Sequence, residues 1–169
     1  MIDALCDKTL LWGVGFVNAA DVVRAACDVL AAGLGGMAMA MLAGVHLRRA
    51  DEEAPDLMPD ALAEVGLPFF PRGSEAGQAA GLAAMAGRLL SGILKPRELT
   101  AWAHGVIGHD GCELGQALVA LDDQYDLAYA VGGDRGEQVD TAALDAEVIA
   151  EARRLIDTTL SRCSLPTTD

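Results

Sequence analysis

Polar and apolar residues alternate along most of the chain with the period of an α-helix. Apolar residues at Val22, Ala26, Val29 and Leu30 form one stripe, which predicts an amphipathic helix that stops at Gly33. No stretch shows the strict alternation that is typical of a half-buried strand. The pattern therefore predicts an all-α fold, a compact bundle of about six to seven helices with no β-sheet.

Further helices are predicted at 37–47, 57–65, 75–92, 96–105, 111–131 and 142–163. The first of these is apolar all round, as expected for a central helix. Ser74 is a predicted N-cap, and Leu99, Trp102 and Val106 form the predicted buried stripe of the helix that follows Pro96. The glycine-rich polar stretch 132–140 predicts a loop.

The segment LPFFPRGS, at 67–74, is the clearest interruption of the helical pattern. Its two prolines exclude a helix interior, so we expect an ordered loop that Phe69 and Phe70 attach to the core. Exposed aromatic contacts for a partner are the alternative interpretation. We predict a single helical domain over 1–169, and any division into subdomains should fall at 67–74.

The composition and the net charge of the chain limit the kinds of molecule that it can bind. The chain is 52% hydrophobic but only 4% aromatic, which predicts a core of Ala, Leu, Val and Met side chains. With 25 acidic and 12 basic residues, its net charge is −13. This charge repels nucleic acids and anionic membranes, and it favours a basic protein partner.

Location is inferred from two features. The four cysteines, at 6, 27, 112 and 163, are isolated from one another, which is typical of a reducing cytoplasm. The longest apolar run, 31–45, is too short to span a bilayer, and the first ten residues lack the pattern of a signal peptide. We therefore expect a cytoplasmic protein that does not enter a membrane.

The stretch AWAHGVIGHDGCELGQ, at 101–116, holds the most candidate chemistry. In one continuous helix His104 and His109 would lie about 140° apart, so their spacing does not require a metal site. We expect neither metal nor cofactor; if a metal were bound, His104, His109 and Asp110 would be its ligands. Asp110 and Glu113 instead have the spacing of a capping box for the helix that follows.

A second candidate is LDDQYD, at 121–126. Asp122 and Asp126 are four residues apart and share a helix face, with Asp123 beside them and Tyr125 nearby. A solvated face, an acidic surface for a basic partner, and a site for a cation or for acid–base chemistry all fit this pattern. For partner binding we select Asp122, Asp123, Tyr125 and Asp126, with His109 at the rim.

The segment RLLSGILKPRELTAWAHGVIG, at 88–108, followed by LDDQYD, resembles small acidic all-helical bacterial immunity proteins, including the colicin-D-immunity-like ones. This resemblance implies a non-enzymatic protein that binds and neutralises a basic toxin. Two alternatives stay open. One is a metal-dependent hydrolase that uses His104, His109 and Asp110, and the other is a self-assembling structural subunit.

Overall fold

The structure, a computed structural model, describes residues 1–135 and 139–163. Within these ranges there are eight α-helices, two short 3-10 turns and no strand. The helices are α1 (Ile2–Gly13), α2 (Ala19–Ala31), α3 (Met37–Ala43), α4 (Ala50–Glu64), α5 (Glu75–Leu90), α6 (Pro96–Val106), α7 (Gln116–Arg135) and α8 (Ala142–Cys163). The prediction of an all-α fold is confirmed for the described residues, whereas the predicted number of helices was too low.

The helix that sequence analysis missed is α1. Its buried side includes Leu5 and Trp12 but also the polar Thr9, which breaks the apolar pattern. The Thr9 hydroxyl donates to the carbonyl oxygen of Leu5, 2.9 Å away, so its burial leaves no unpaired polar group. A satisfied polar side chain at a core position thus concealed the helical period.

α4 begins at Ala50, seven residues earlier than predicted. The charged stretch before residue 57 is therefore the first part of the helix rather than a connection. Asp51, Glu52 and Glu53 lie in its first turn, where negative charge is favoured by the helix dipole. Pro55 is accommodated inside the helix close to this end.

The predicted central helix at 37–47 is wrong in both length and burial. α3 ends at Ala43, and two of its methionines are exposed, Met37 by 77% and Met41 by 54%. Only Met39 and Leu42 are buried. The central helix of this part of the chain is α2, which contacts α1, α3 and α4. Apolar residues on every side of α3 did not mean that the whole helix is buried, because this short helix packs against its neighbours on one side only.

The chain forms two compact units, Met1–Gly77 and Gln78–Asp169. In the first unit, the core consists mainly of Ala, Val, Leu and Met side chains, as the composition predicted. The 67–74 loop is attached as expected through Phe69, whose ring stacks on Trp12 with centroids 6.4 Å apart. The Arg72 guanidinium also lies over the Trp12 ring, 5.5 Å from its centroid.

Two carboxylates of α4 cap the neighbouring helices of the first unit. Asp51 accepts a hydrogen bond from the backbone N–H of Ala19, 2.9 Å away, at the start of α2. Glu64 accepts from three backbone N–H groups before and at the start of α3, those of Gly36 (2.8 Å), Ala38 (2.9 Å) and Met39 (2.9 Å). Because these N–H groups have no partner within their own helix, α4 fixes the starts of α2 and α3.

In the second unit α6, α7 and α8 contact one another. Tyr125, on α7, is fully buried. The stripe of α6 was predicted only in part, since Val106 is 39% exposed and Ile107 is buried instead. α7 begins and ends later than the predicted 111–131 and continues to Arg135. The loop prediction is therefore wrong for 132–135. Residues 136–138 of that predicted loop lie outside the described residues.

In the described part of the chain, none of the helices combines the length and the apolar character needed to cross a membrane.

We predict that Glu64→Gln destabilises the protein at neutral pH but not in acid. The backbone N–H groups of Met39, Ala38 and Gly36 lower the pKa of Glu64. A lowered folded pKa means that the ionised carboxylate adds stability above its unfolded pKa, about 4.3, and that this stability is lost as the pH falls through the folded value. Urea unfolding at a series of pH values measures the difference.

Glu147→Gln, at an exposed position of α8, is the control and should show no such pH-dependent difference from the wild type. A Glu64→Gln variant that matches the wild type at neutral pH, or that differs from it equally at every pH, would contradict this prediction.

Candidate functional site

The side chains with the most chemistry in the second unit meet where α6 contacts α7. We call this group the α6–α7 cluster. It consists of Arg97 and His104 on α6, His109 in the loop after α6, and Asp122, Asp123 and Asp126 on α7.

Asp122 is the buried centre of the cluster. Its side chain is only 7% exposed, and each carboxylate oxygen has a partner on α6. One oxygen accepts from the Arg97 guanidinium, and the other lies 2.9 Å from Nδ1 of His104. A buried carboxylate needs such partners, because desolvation without them would be strongly unfavourable. Asp122 therefore fixes the positions of both α6 side chains.

Arg97 also offsets the repulsion between Asp122 and Asp126, which lie on the same face of α7. Its second guanidinium nitrogen lies 2.5 Å from the Asp126 carboxylate, so one cation sits between Asp122 and Asp126. The same guanidinium lies over the ring of Tyr125, 5.2 Å from the centroid. The repulsion expected for like charges four residues apart is thus offset by a residue of the neighbouring helix.

The residues that begin α6 position Arg97. Pro96 occupies the first helical position, as predicted, and the Glu98 carboxylate accepts from the backbone N–H of Lys95 at 2.8 Å. Arg97 therefore lies in a well-defined first turn, from which it reaches α7.

The side chain of His109 lies next to that of His104 because the chain reverses direction after α6. Gly108 has a φ of +62°, a left-handed conformation that suits glycine. The two imidazole rings lie 5.1 Å apart at 73° to each other, and Nε2 of His109 is 3.9 Å from Asp123. The separation of about 140° expected for a continuous helix does not apply, because α6 ends at Val106.

Two glutamines hold the loop that carries His109. The Gln78 side-chain oxygen accepts from the backbone N–H of Cys112 at 3.1 Å. The Gln116 amide donates to the carbonyl oxygens of Gly108 (3.0 Å) and Gly111 (3.3 Å). Sequence analysis singled out neither glutamine, since nothing in the local pattern marks a side chain that bonds to a loop in this way.

The predicted capping box of Asp110 and Glu113 is wrong. Glu113 begins a 3-10 turn whose N-cap, Cys112, makes no side-chain capping bond, and α7 starts only at Gln116. The extra turn moves the start of α7 away from Asp110, so the spacing of three residues no longer fits a cap.

The residues selected for partner binding divide into a buried pair and an exposed group. Asp122 and Tyr125 are buried, whereas Asp123 is 50%, Asp126 63% and His109 64% exposed at the side chain. The buried pair lies beneath the surface that the other three form.

Tyr125 has a structural partner of its own. Its hydroxyl donates to Asp145 of α8 at 2.5 Å. Burial, together with this hydrogen bond and the negative charge of Asp145, raises the pKa of Tyr125 well above its ordinary value. Tyr125 therefore stays protonated at neutral pH and links α7 to α8.

The structure also changes the candidate metal ligands. Ligand atoms of His104, His109 and Asp123 all lie within 4.8 Å of one another. Asp123, rather than the Asp110 expected from the sequence, thus completes the group. Asp110 was expected because it follows His109 in the sequence, but the turn after α6 brings His109 back to His104 and to Asp123 on α7.

We predict that Asp122→Asn destabilises the protein much more than Asp126→Asn. Both side chains contact Arg97, but only Asp122 is buried, and its change to Asn removes the buried charge and puts an NH2 donor in place of one of the two oxygens that face Arg97 and His104. The first change should reduce the free energy of unfolding by about 2 kcal/mol, and the second by less than about 1 kcal/mol. Urea denaturation followed by circular dichroism measures both, and equal effects would contradict the central position of Asp122.

No protein-family model matches the sequence. Comparisons with curated proteins and with solved structures likewise give no match. The resemblance to immunity proteins therefore stays a prediction, and the function has to be inferred from the side chains of this chain.

Proposed function

We propose that this chain is a non-enzymatic binding protein that holds a basic partner protein on the exposed face of α7. The observation that carries the proposal is the pairing of exposed carboxylates with exposed apolar side chains on that helix. Asp123 and Asp126 are at least half exposed, and Leu127 beside them is 65% exposed.

Helical spacing places Asp123, Asp126, Leu127 and Val131 on one side of α7, within about 140° of its circumference. Asp123, Leu127 and Val131 follow one another at intervals of four residues, and Asp126 and Tyr129 are separated by three. Tyr129 is 48% and Val131 44% exposed. Apolar and aromatic side chains bordered by charged ones are typical of protein interfaces. We refer to Asp123, Asp126, Leu127 and Val131 as the α7 face, and Tyr129 borders it next to Asp126.

The charge of the cluster supports a basic partner. The cluster holds three carboxylates, those of Asp122, Asp123 and Asp126, but only one guanidinium, that of Arg97, which pairs with Asp122 and Asp126. The group keeps a net negative charge while the histidines are neutral, and the whole chain carries −13. Such a field accelerates encounter with a positively charged protein and disfavours nucleic acids and anionic membranes.

The resemblance to immunity proteins suggests that the partner is a toxin. A toxin that acts on nucleic acid has a basic active site, and an acidic helix face can occupy it by imitating phosphates. We place this interaction in the cytoplasm, in keeping with the free thiols of Cys6, Cys27 and Cys112.

We predict that Asp123→Lys combined with Asp126→Lys abolishes capture of a basic protein from a lysate of the source cells. Both positions are exposed, so the fold should persist, whereas Asp122→Lys would place a second cation beside Arg97 in a buried position. Affinity for the captured protein should fall at least about tenfold, equivalent to about 1.4 kcal/mol, and wild-type binding should weaken as salt is raised.

The matched control is Asp56→Lys combined with Asp60→Lys on α4, which makes the same change in net charge at two exposed positions. Loss of binding in the α7 variant with retention in the α4 variant supports the proposal. The proposal is wrong if both variants lose the partner equally. It is also wrong if every basic protein that the wild type captures is captured by the α7 variant as well. Circular dichroism of each variant shows whether it is folded.

A further inference from the structure

We propose that His104, His109 and Asp123 form a binding site for a divalent transition-metal ion of the zinc type. This inference stands independently of the proposed partner. It rests on three ligand side chains that come together from two parts of the chain, and on a fourth residue that orients one of them.

The set of ligands suits such an ion. Zinc is bound in proteins by imidazole nitrogens and carboxylate oxygens, and two histidines with one carboxylate are a common set for transition metals. Calcium and magnesium prefer oxygen ligands throughout, so two imidazoles argue against them. The chemistry of the side chains therefore selects the class of metal.

The distances are compatible with closure around an ion. The ligand atoms lie within 4.8 Å of one another, and bonds of about 2.1 Å in tetrahedral geometry require separations of about 3.4 Å. His109 is 64% and Asp123 50% exposed, so both can change side-chain torsion angles without disturbing the core. Rotation of these two side chains toward Nε2 of His104 completes the site, since Nδ1 of that ring is held by Asp122.

Asp122 orients the His104 ring for metal binding. Nδ1 of His104 lies 2.9 Å from the buried Asp122 carboxylate, which favours the tautomer with its proton on Nδ1. Nε2 then keeps the lone pair that a metal needs. The His104 atom that lies 3.7 Å from Asp123 is Nδ1, so Asp123 and His109 have to approach Nε2 when an ion binds. A carboxylate behind a histidine ligand is a recurrent feature of zinc sites, where it fixes the ring and increases its basicity.

Three protein ligands leave at least one position of a tetrahedral ion open to water or to an external group. The exposure of His109 and Asp123 gives that position access to solvent. The inferred site is therefore an accessible one rather than a closed structural zinc site.

The test is titration of the purified full chain, stripped of metal by a chelator, with Zn²⁺ in a calorimeter and with Co²⁺ in a visible spectrophotometer. We expect one ion per chain. The Co²⁺ spectrum should lack sulfur-to-metal charge-transfer absorption, which distinguishes this site from binding by cysteine thiolates.

Variants locate the ion. His109→Ala and Asp123→Ala, both at exposed positions, should weaken binding at least about tenfold, and Asp122→Asn should weaken it about 10- to 100-fold through His104. His46→Ala removes the chain's third histidine, and Asp110→Ala removes the ligand expected from sequence spacing. Both of these controls should bind as the wild type does.

The metal site is excluded if the wild type binds no stoichiometric ion, or if His109→Ala and Asp123→Ala bind as tightly as His46→Ala. Unchanged affinity in Asp122→Asn would overturn the role given to that carboxylate. The titration uses no partner protein, so its failure is distinct from failure of the partner proposal.

Discussion

A buried carboxylate between two cation-capable side chains determines how the second unit is organised around its candidate site. Asp122 lies on α7 with almost no exposure, and it can remain charged there only because α6 supplies Arg97 and His104. This requirement fixes the face that α6 presents to α7. It also sets Arg97 in place for Asp126 and turns His104 toward the loop that carries His109.

The two proposals use different side chains of this arrangement, except for Asp123. The exposed α7 face offers carboxylates and apolar side chains to a protein of opposite charge, and its position depends on the buried contacts beneath it. The histidines offer nitrogen ligands to an ion. Asp123 belongs to both, since it borders the α7 face and lies 3.7 Å from His104. A bound cation would therefore reduce the negative charge of the surface that a partner meets.

Local features of the chain could be predicted from the sequence, and distant contacts could not. Ser74 caps α5 and Pro96 starts α6 as expected, because those preferences act within one helical turn. The bond of Arg97 to Asp122 joins positions 25 residues apart, so no periodicity indicates it. The position of His109 depends on a left-handed glycine and on glutamine side chains that bond to the loop. Asp122 was selected from the sequence for partner binding together with its neighbours, but its burial was not foreseen.

The tautomer of His104 shows whether the Asp122 carboxylate orders the α6–α7 cluster. Long-range ¹⁵N–¹H correlation spectra of the imidazole, recorded at alkaline pH where free imidazoles are neutral, distinguish a proton on Nδ1 from one on Nε2. If the Asp122 carboxylate orders the cluster, His104 is the Nδ1–H tautomer in the wild type and loses that preference in Asp122→Asn. A wild-type His104 that is mainly the Nε2–H tautomer, or whose spectrum is unchanged in Asp122→Asn, would contradict the claim.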